Sequence, residues 1–119
     1  MSGIVFEILS SKCGTVQEQV TLETIGGLTV IRGFINVANP CHTIDLREQV
    51  DTDKKMLSIF LQVKAIKKIC VQCLANLEFR IKINRYYYRE LFNSQKCMLK
   101  LEYYHRGKRG VLYEGEFEL

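Results

Sequence analysis

Apolar and polar residues alternate with period two along much of the chain. Between residues 77 and 83, Leu77, Phe79, Ile81 and Ile83 fall on one face of an extended segment, and Glu78, Arg80 and Lys82 fall on the other. This pattern predicts a strand with one face in a core. Leu57, Ile59, Leu61 and Val63 alternate with Ser58, Phe60 and Gln62 in the same way. Leu99, Leu101 and Tyr103 alternate with Lys100 and Glu102, and Tyr113, Phe117 and Leu119 with Glu114, Glu116 and Glu118. Residues 4–9, 16–24, 28–37 and 43–50 read as further strands. Gly26-Gly27 separates two of them, and Asn39-Pro40 ends the next, because proline lacks a ladder N–H and restricts the residue before it. Residues 51–55 form a polar turn. Between the last two strands lies His105-Arg106-Gly107-Lys108-Arg109-Gly110, whose glycines supply the positive φ values of a hairpin connection.

About eight short strands separated by turn residues favour a sandwich or barrel over a helical or βαβ domain. The expectation is an all-β fold: an immunoglobulin-like, two-sheet antiparallel sandwich of about seven to eight strands, with room for one short helical turn. Residues 86–92 suit a helical turn, an exposed connection or an irregular strand, and residues 63–71 loosely suit a helix. No repeat, linker or low-complexity tract divides the chain, so residues 1–119 form one expected domain.

Composition supports a folded chain: 47% of its 119 residues are hydrophobic and 25% charged, unlike the apolar-poor, highly charged composition of disorder. No apolar run approaches the roughly 20 residues of a membrane helix. The first residues carry no basic leader and place Glu7 inside the first apolar run, unlike a signal peptide. These features lead to the expectation of a soluble, cytoplasmic protein without a membrane span. The net charge of +4 is uneven. Residues 1–60 hold five basic against seven acidic residues, and residues 61–119 hold twelve against six. An anionic partner for the C-terminal half is one consequence to consider.

Five cysteines, Cys13, Cys41, Cys70, Cys73 and Cys97, leave several chemistries open. Cys41, His42, Cys70 and Cys73 supply the four thiolate and imidazole ligands of a tetrahedral zinc site, although two adjacent ligands on an extended segment aim poorly at one ion. A redox-active Cys70-Val71-Gln72-Cys73 lacks the helix N-terminus that lowers a thiol pKa. A bridge between Cys41 and Cys70 would staple neighbouring strands or both sheets, close about 30 residues and add roughly 3–4 kcal/mol. In the remaining alternative all five are reduced and behave as small hydrophobes.

The run Gly33-Phe34-Ile35-Asn36-Val37-Ala38-Asn39-Pro40-Cys41-His42, followed by Ile69-Cys70-Val71-Gln72 and a clear strand, resembles small uncharacterised β-sandwich proteins with a Pro-Cys-His segment and a later Cys-x-Gln segment. The resemblance spans roughly residues 28–83. It implies a sandwich in which Cys41 and Cys70 pair, and it implies no activity or cofactor. Cys73 and the basic C-terminal hairpin depart from the pattern.

Catalytic patterns are missing from the sequence. The two histidines, His42 and His105, stand in no arrangement with a nucleophile and an orienting carboxylate, and no phosphate-binding glycine motif occurs. The expectation is a non-enzymatic protein-interaction or assembly module without a cofactor. Phe60, the tyrosine run and the strand edges would engage a protein partner or a second copy. The alternative is nucleic-acid binding through Arg80, Lys82, Lys100, Arg106, Lys108 and Arg109, with Tyr86, Tyr87 and Tyr88 stacking on bases.

Overall fold

The computed structural model describes residues 3–66 and 69–119. In chain order these form β1 (Ile4–Cys13), β2 (Val20–Ile25), β3 (Leu28–Val37), β4 (His42–Asp51), β5 (Met56–Ala65), β6 (Ala75–Asn84), α1 (Arg85–Phe92), β7 (Lys96–His105) and β8 (Lys108–Glu118). Two four-stranded sheets, with orders β1-β6-β3-β2 and β4-β5-β7-β8, pack into the expected sandwich. Every neighbouring pair is antiparallel except β5 and β7, which makes the second sheet mixed. Parallel neighbours need a long crossover. Here the chain between them lays β6 into the opposite sheet and then turns through α1.

The period-two pattern determines which side chains meet. Leu77, Phe79, Ile81 and Ile83 of β6 are fully buried against Leu57, Ile59 and Leu61 of β5 and Leu99 and Leu101 of β7 in one continuous core. Their polar alternates line the outer faces. A one-residue slip would expose the whole set, so burial specifies the register.

Residues 86–92, left open by the sequence, are helical. Asn84 caps α1 by accepting a 3.3 Å hydrogen bond from the Tyr87 N–H, and Asn93 closes it in the left-handed conformation at φ 49°. Tyr88 and Phe92, one turn apart, bury against the sandwich. The helical tendency of residues 63–71 is not realised where it is described. β5 continues to Ala65, residues 69–74 form no regular element, and residues 67 and 68 lie outside the described residues.

Two disulfides join Cys41 to Cys70 and Cys13 to Cys73, with Cα–Cα distances of 6.0 and 5.7 Å. The second was not anticipated from the sequence. The β1–β6 register places Cys13 opposite Ala75, so the strand pairing itself brings Cys73 within reach. Bridge separations of 29 and 60 residues correspond to roughly 3.5 and 4 kcal/mol of loop-closure stabilisation, and the two are not additive because the shorter loop is nested in the longer. Cys97 is free and buried in the core, where desolvation pushes its thiol up to about 11.

Alkylation before any reduction should therefore label no thiol in the native protein and one, Cys97, after unfolding in denaturant. Reduction should raise the count to five. Three or more labelled thiols in unreduced, unfolded protein would contradict the pairing.

Candidate functional site

Strand direction gives the sandwich two different ends. β1, β3, β5 and β7 all finish at one end, and β2, β4, β6 and β8 start there. Both disulfides, the connections 14–19, 38–41 and 106–107 and residues 69–74 lie at this cystine end, whereas α1 lies at the other. Loops gathered at a sandwich end on a rigid scaffold are a common location for binding sites.

The bridges tie the 70–73 segment to both layers. Cys13 closes β1 of the first sheet, and Cys41 immediately precedes β4 of the second. Hydrogen bonds reinforce the staple: the Gly14 N–H donates to the Leu74 carbonyl at 2.7 Å, the Ile66 N–H to the Cys41 carbonyl at 2.9 Å, and the Ser11 hydroxyl to the Pro40 carbonyl at 2.7 Å. Three of the four zinc-candidate residues, Cys41, Cys70 and Cys73, are consumed by the bridges, leaving His42 without thiolate partners. Among the described residues no group of three His, Cys, Asp or Glu side chains converges on a metal position.

His42 instead packs edge-on against His105, with ring centroids 5.1 Å apart, and its Nδ1–H donates to the Asn39 carbonyl at 2.8 Å. Beside them the Tyr103 hydroxyl donates to Glu18 at 2.5 Å, and burial with this carboxylate pushes the phenol up to about 12. Glu18 also accepts from the Asn36 N–H at 2.8 Å. Its carboxylate is therefore engaged by two donors rather than poised as a base. A cavity of about 350 Å³ opens next to His105, bounded by Asn36, Val37, Ala38, Leu74, Arg106 and Lys108.

The type I′ turn that projects the basic tip places both central residues, Arg106 and Gly107, at positive φ of 54° and 75°. Arg106 and Lys108 are exposed and hold no carboxylate among the described residues. Arg109 is different. Its Nε donates to Glu102, a carboxylate only 3% exposed on the outer face of the second sheet.

A second surface lies over that same face. Phe60 of β5 and Tyr104 of β7 stack with centroids 6.2 Å apart and an interplanar angle of 28°. Together with Arg47 and Gln49 on edge strand β4 and Gln62 on β5, they line a groove of about 440 Å³. The register places Phe60 between Arg47 and Glu102, so the buried Glu102 carboxylate, held by the exposed Arg109, lies beside the aromatic pair on the same face. The sequence singled out Phe60, but its pairing with Tyr104 depends on the parallel β5–β7 register.

The nine nucleic-acid candidates do not converge on one face. Arg80 and Lys82 share the outer face of the first sheet as expected, but Arg80 is paired with Glu7, and neighbouring Arg32 holds Glu78 at 2.9 Å. Lys100 lies on the opposite sheet, 3.6 Å from Glu114. Tyr86 and Tyr87 are exposed at the helix end, with Arg89 5.0 Å over the Tyr86 ring. Tyr88 is fully buried and donates its hydroxyl to Glu48, so it is unavailable for stacking on a base. Burial and the Glu48 carboxylate push that phenol far above its ordinary range. Arg106, Lys108 and Arg109 occupy the far end from these tyrosines.

Replacing Arg109 with alanine strands a buried carboxylate and should cost about 2 kcal/mol in a urea melt, against less than about 0.5 kcal/mol for Arg106→Ala or Lys108→Ala. Equal effects at the three positions would contradict the assignment of Arg109 to the fold.

Burial, His42 and Arg106 hold the His105 imidazole below its ordinary value of 6.5, outweighing the opposing influence of Glu18. Folding therefore favours neutral His105. Its contribution is present above the unfolded value and is lost as pH falls through 6.5 toward the depressed folded value. The urea midpoint should fall on acidification from about pH 7 to about pH 5, and His105→Gln should flatten that dependence. Parallel profiles for the two proteins would rule the assignment out.

No protein-family model matches this chain, and neither does any curated protein or solved structure, which leaves its own side chains as the ground for a function.

Proposed function

We propose that the protein is a non-enzymatic interaction module that receives a protein partner in the Phe60–Tyr104 groove. The observation that carries this reading is a stacked aromatic pair set in a concave face, with Arg47 at its edge and the Arg109-held Glu102 carboxylate beside it. Aromatic side chains and arginine dominate the energy of protein interfaces because they combine large contact area with a polar handle. Edge strand β4 runs along the same groove and adds main-chain donors and acceptors to which an extended segment can pair. The polar groups that resemble catalytic machinery are already engaged with one another, as in the Tyr103–Glu18–Asn36 network. The nucleic-acid alternative has less support, because its cations are paired or spread over two faces and the end opposite the candidate tyrosines. Two disulfides fit an oxidising compartment or a thermophilic host better than the cytoplasm expected from the sequence.

Selection from a displayed random-peptide library, followed by amide chemical-shift mapping of the selected peptide, tests the groove directly. Shifts should cluster at Arg47, Gln49, Phe60, Gln62 and Tyr104, and Phe60→Ala and Tyr104→Ala should each weaken binding at least about ten-fold. Selected peptides that map elsewhere, or that bind both variants as tightly as the parent, would remove the basis for this reading. Sedimentation across a concentration series checks whether a second copy is the occupant. In that case the same two substitutions should shift the protein toward monomer.

A further inference from the structure

The cystine end carries aliphatic side chains that the fold leaves uncovered. Ile69 is wholly exposed at 102%, Val71 and Leu74 are exposed at 67% and 65%, and Ile66 at 40%. These residues are not on a loose loop. Cys70 and Cys73 alternate with them and are bonded to Cys41 and Cys13, and the backbone on either side of them is hydrogen-bonded to Cys41 and Gly14. Two covalent staples thus hold a short segment with its aliphatic side chains turned to solvent, an arrangement that raises the free energy of the isolated protein unless something covers them.

The surroundings indicate what covers them. Arg106 and Lys108 border the same cavity as Leu74, are exposed and have no carboxylate partner among the described residues. Lys12 is exposed at the end of β1, next to the bridge at Cys13. Glu18, whose carboxylate acts on His105, is already held by Tyr103 and Asn36. Projecting aliphatics at the same end as cations without carboxylate partners match a surface that is apolar beneath and anionic at its boundary. Ile69 in particular protrudes, whereas a cleft-binding segment of a protein partner would call for a recess.

We propose that the cystine end docks on an anionic phospholipid bilayer, with Ile69, Val71 and Leu74 entering the acyl boundary and Arg106 and Lys108 at the level of the phosphates. This contact is separate from the Phe60–Tyr104 groove and holds or fails independently of it.

Vesicle co-sedimentation tests the proposal, using phosphatidylcholine vesicles with and without about 30% phosphatidylserine. The protein should pellet with the anionic vesicles and be released by high salt. The double variant Ile69→Asp/Val71→Asp should weaken binding at least about ten-fold. Arg106→Ala/Lys108→Ala should weaken it about 30-fold. Phe60→Ala should leave it unchanged. The chain contains no tryptophan, so Ile69→Trp provides a single reporter that keeps the position apolar and does not depend on the aspartate variants folding. Its emission should shift to the blue on anionic vesicles and be quenched by lipids brominated in the upper acyl chain. No pelleting, or pelleting with an unshifted tryptophan, overturns the proposal. Binding to soluble polyglutamate in preference to vesicles overturns it in favour of an acidic protein partner.

Discussion

The 70–73 segment is bonded to a strand end in one sheet and to the connection entering a strand in the other, so two sulfur–sulfur bonds hold the layers together at a single end. The remainder of that end depends on this constraint. It limits how far β1 and β4 can separate, it keeps the Gly14–Leu74 and Ile66–Cys41 hydrogen bonds formed, and it fixes the wall of the cavity beside His105. At the opposite end no covalent link exists among the described residues, and the layers are joined by Tyr88 and Phe92 of α1, buried in the core. The sandwich is therefore closed covalently at one end and by packing at the other.

Much of this architecture is legible in the sequence because strand burial has period two. β3, β6 and the inward faces of β5 and β7 stand where the alternation places them. The second strand is instructive in its difference, beginning at Val20 rather than residue 16. Residues 16–19 are extended in pattern, yet their partner is a side chain rather than a backbone. Asn36 donates to the Val16 carbonyl at 2.7 Å and accepts from its N–H at 3.0 Å, imitating the ladder without forming one. Such a substitute cannot be read from hydrophobicity. The helix, by contrast, was bracketed by local signals: Asn84 and Asn93 are capping residues at each boundary, and only the tyrosine run between them obscured the period.

The functional surfaces were less legible because they depend on which strands become neighbours. Cys13 and Cys73 are 60 residues apart and meet through the β1–β6 register, while His42 and His105 meet through the order of the second sheet. Charge was misleading for a related reason. Arg80, Lys100 and Arg109 read as a basic C-terminal half, but each faces a glutamate delivered by an adjacent strand, and of the six cationic candidates Lys82, Arg106 and Lys108 hold no carboxylate among the described residues. Net charge summed along a sequence overstates the field a partner meets when cross-strand pairs cancel it locally.

Cys97 gives the molecule an order of events during oxidation. All four bridging cysteines precede it in the chain, so a growing polypeptide can close both native bonds before the fifth thiol is present to compete. Once β7 joins the second sheet, that thiol is enclosed by the core and too weakly acidic to attack a neighbouring bond. These 119 residues refolded from the reduced state lack this sequence of emergence and must sort five competing thiols at once. Vectorial synthesis into an oxidising environment is thus the route on which this arrangement of cysteines scrambles least.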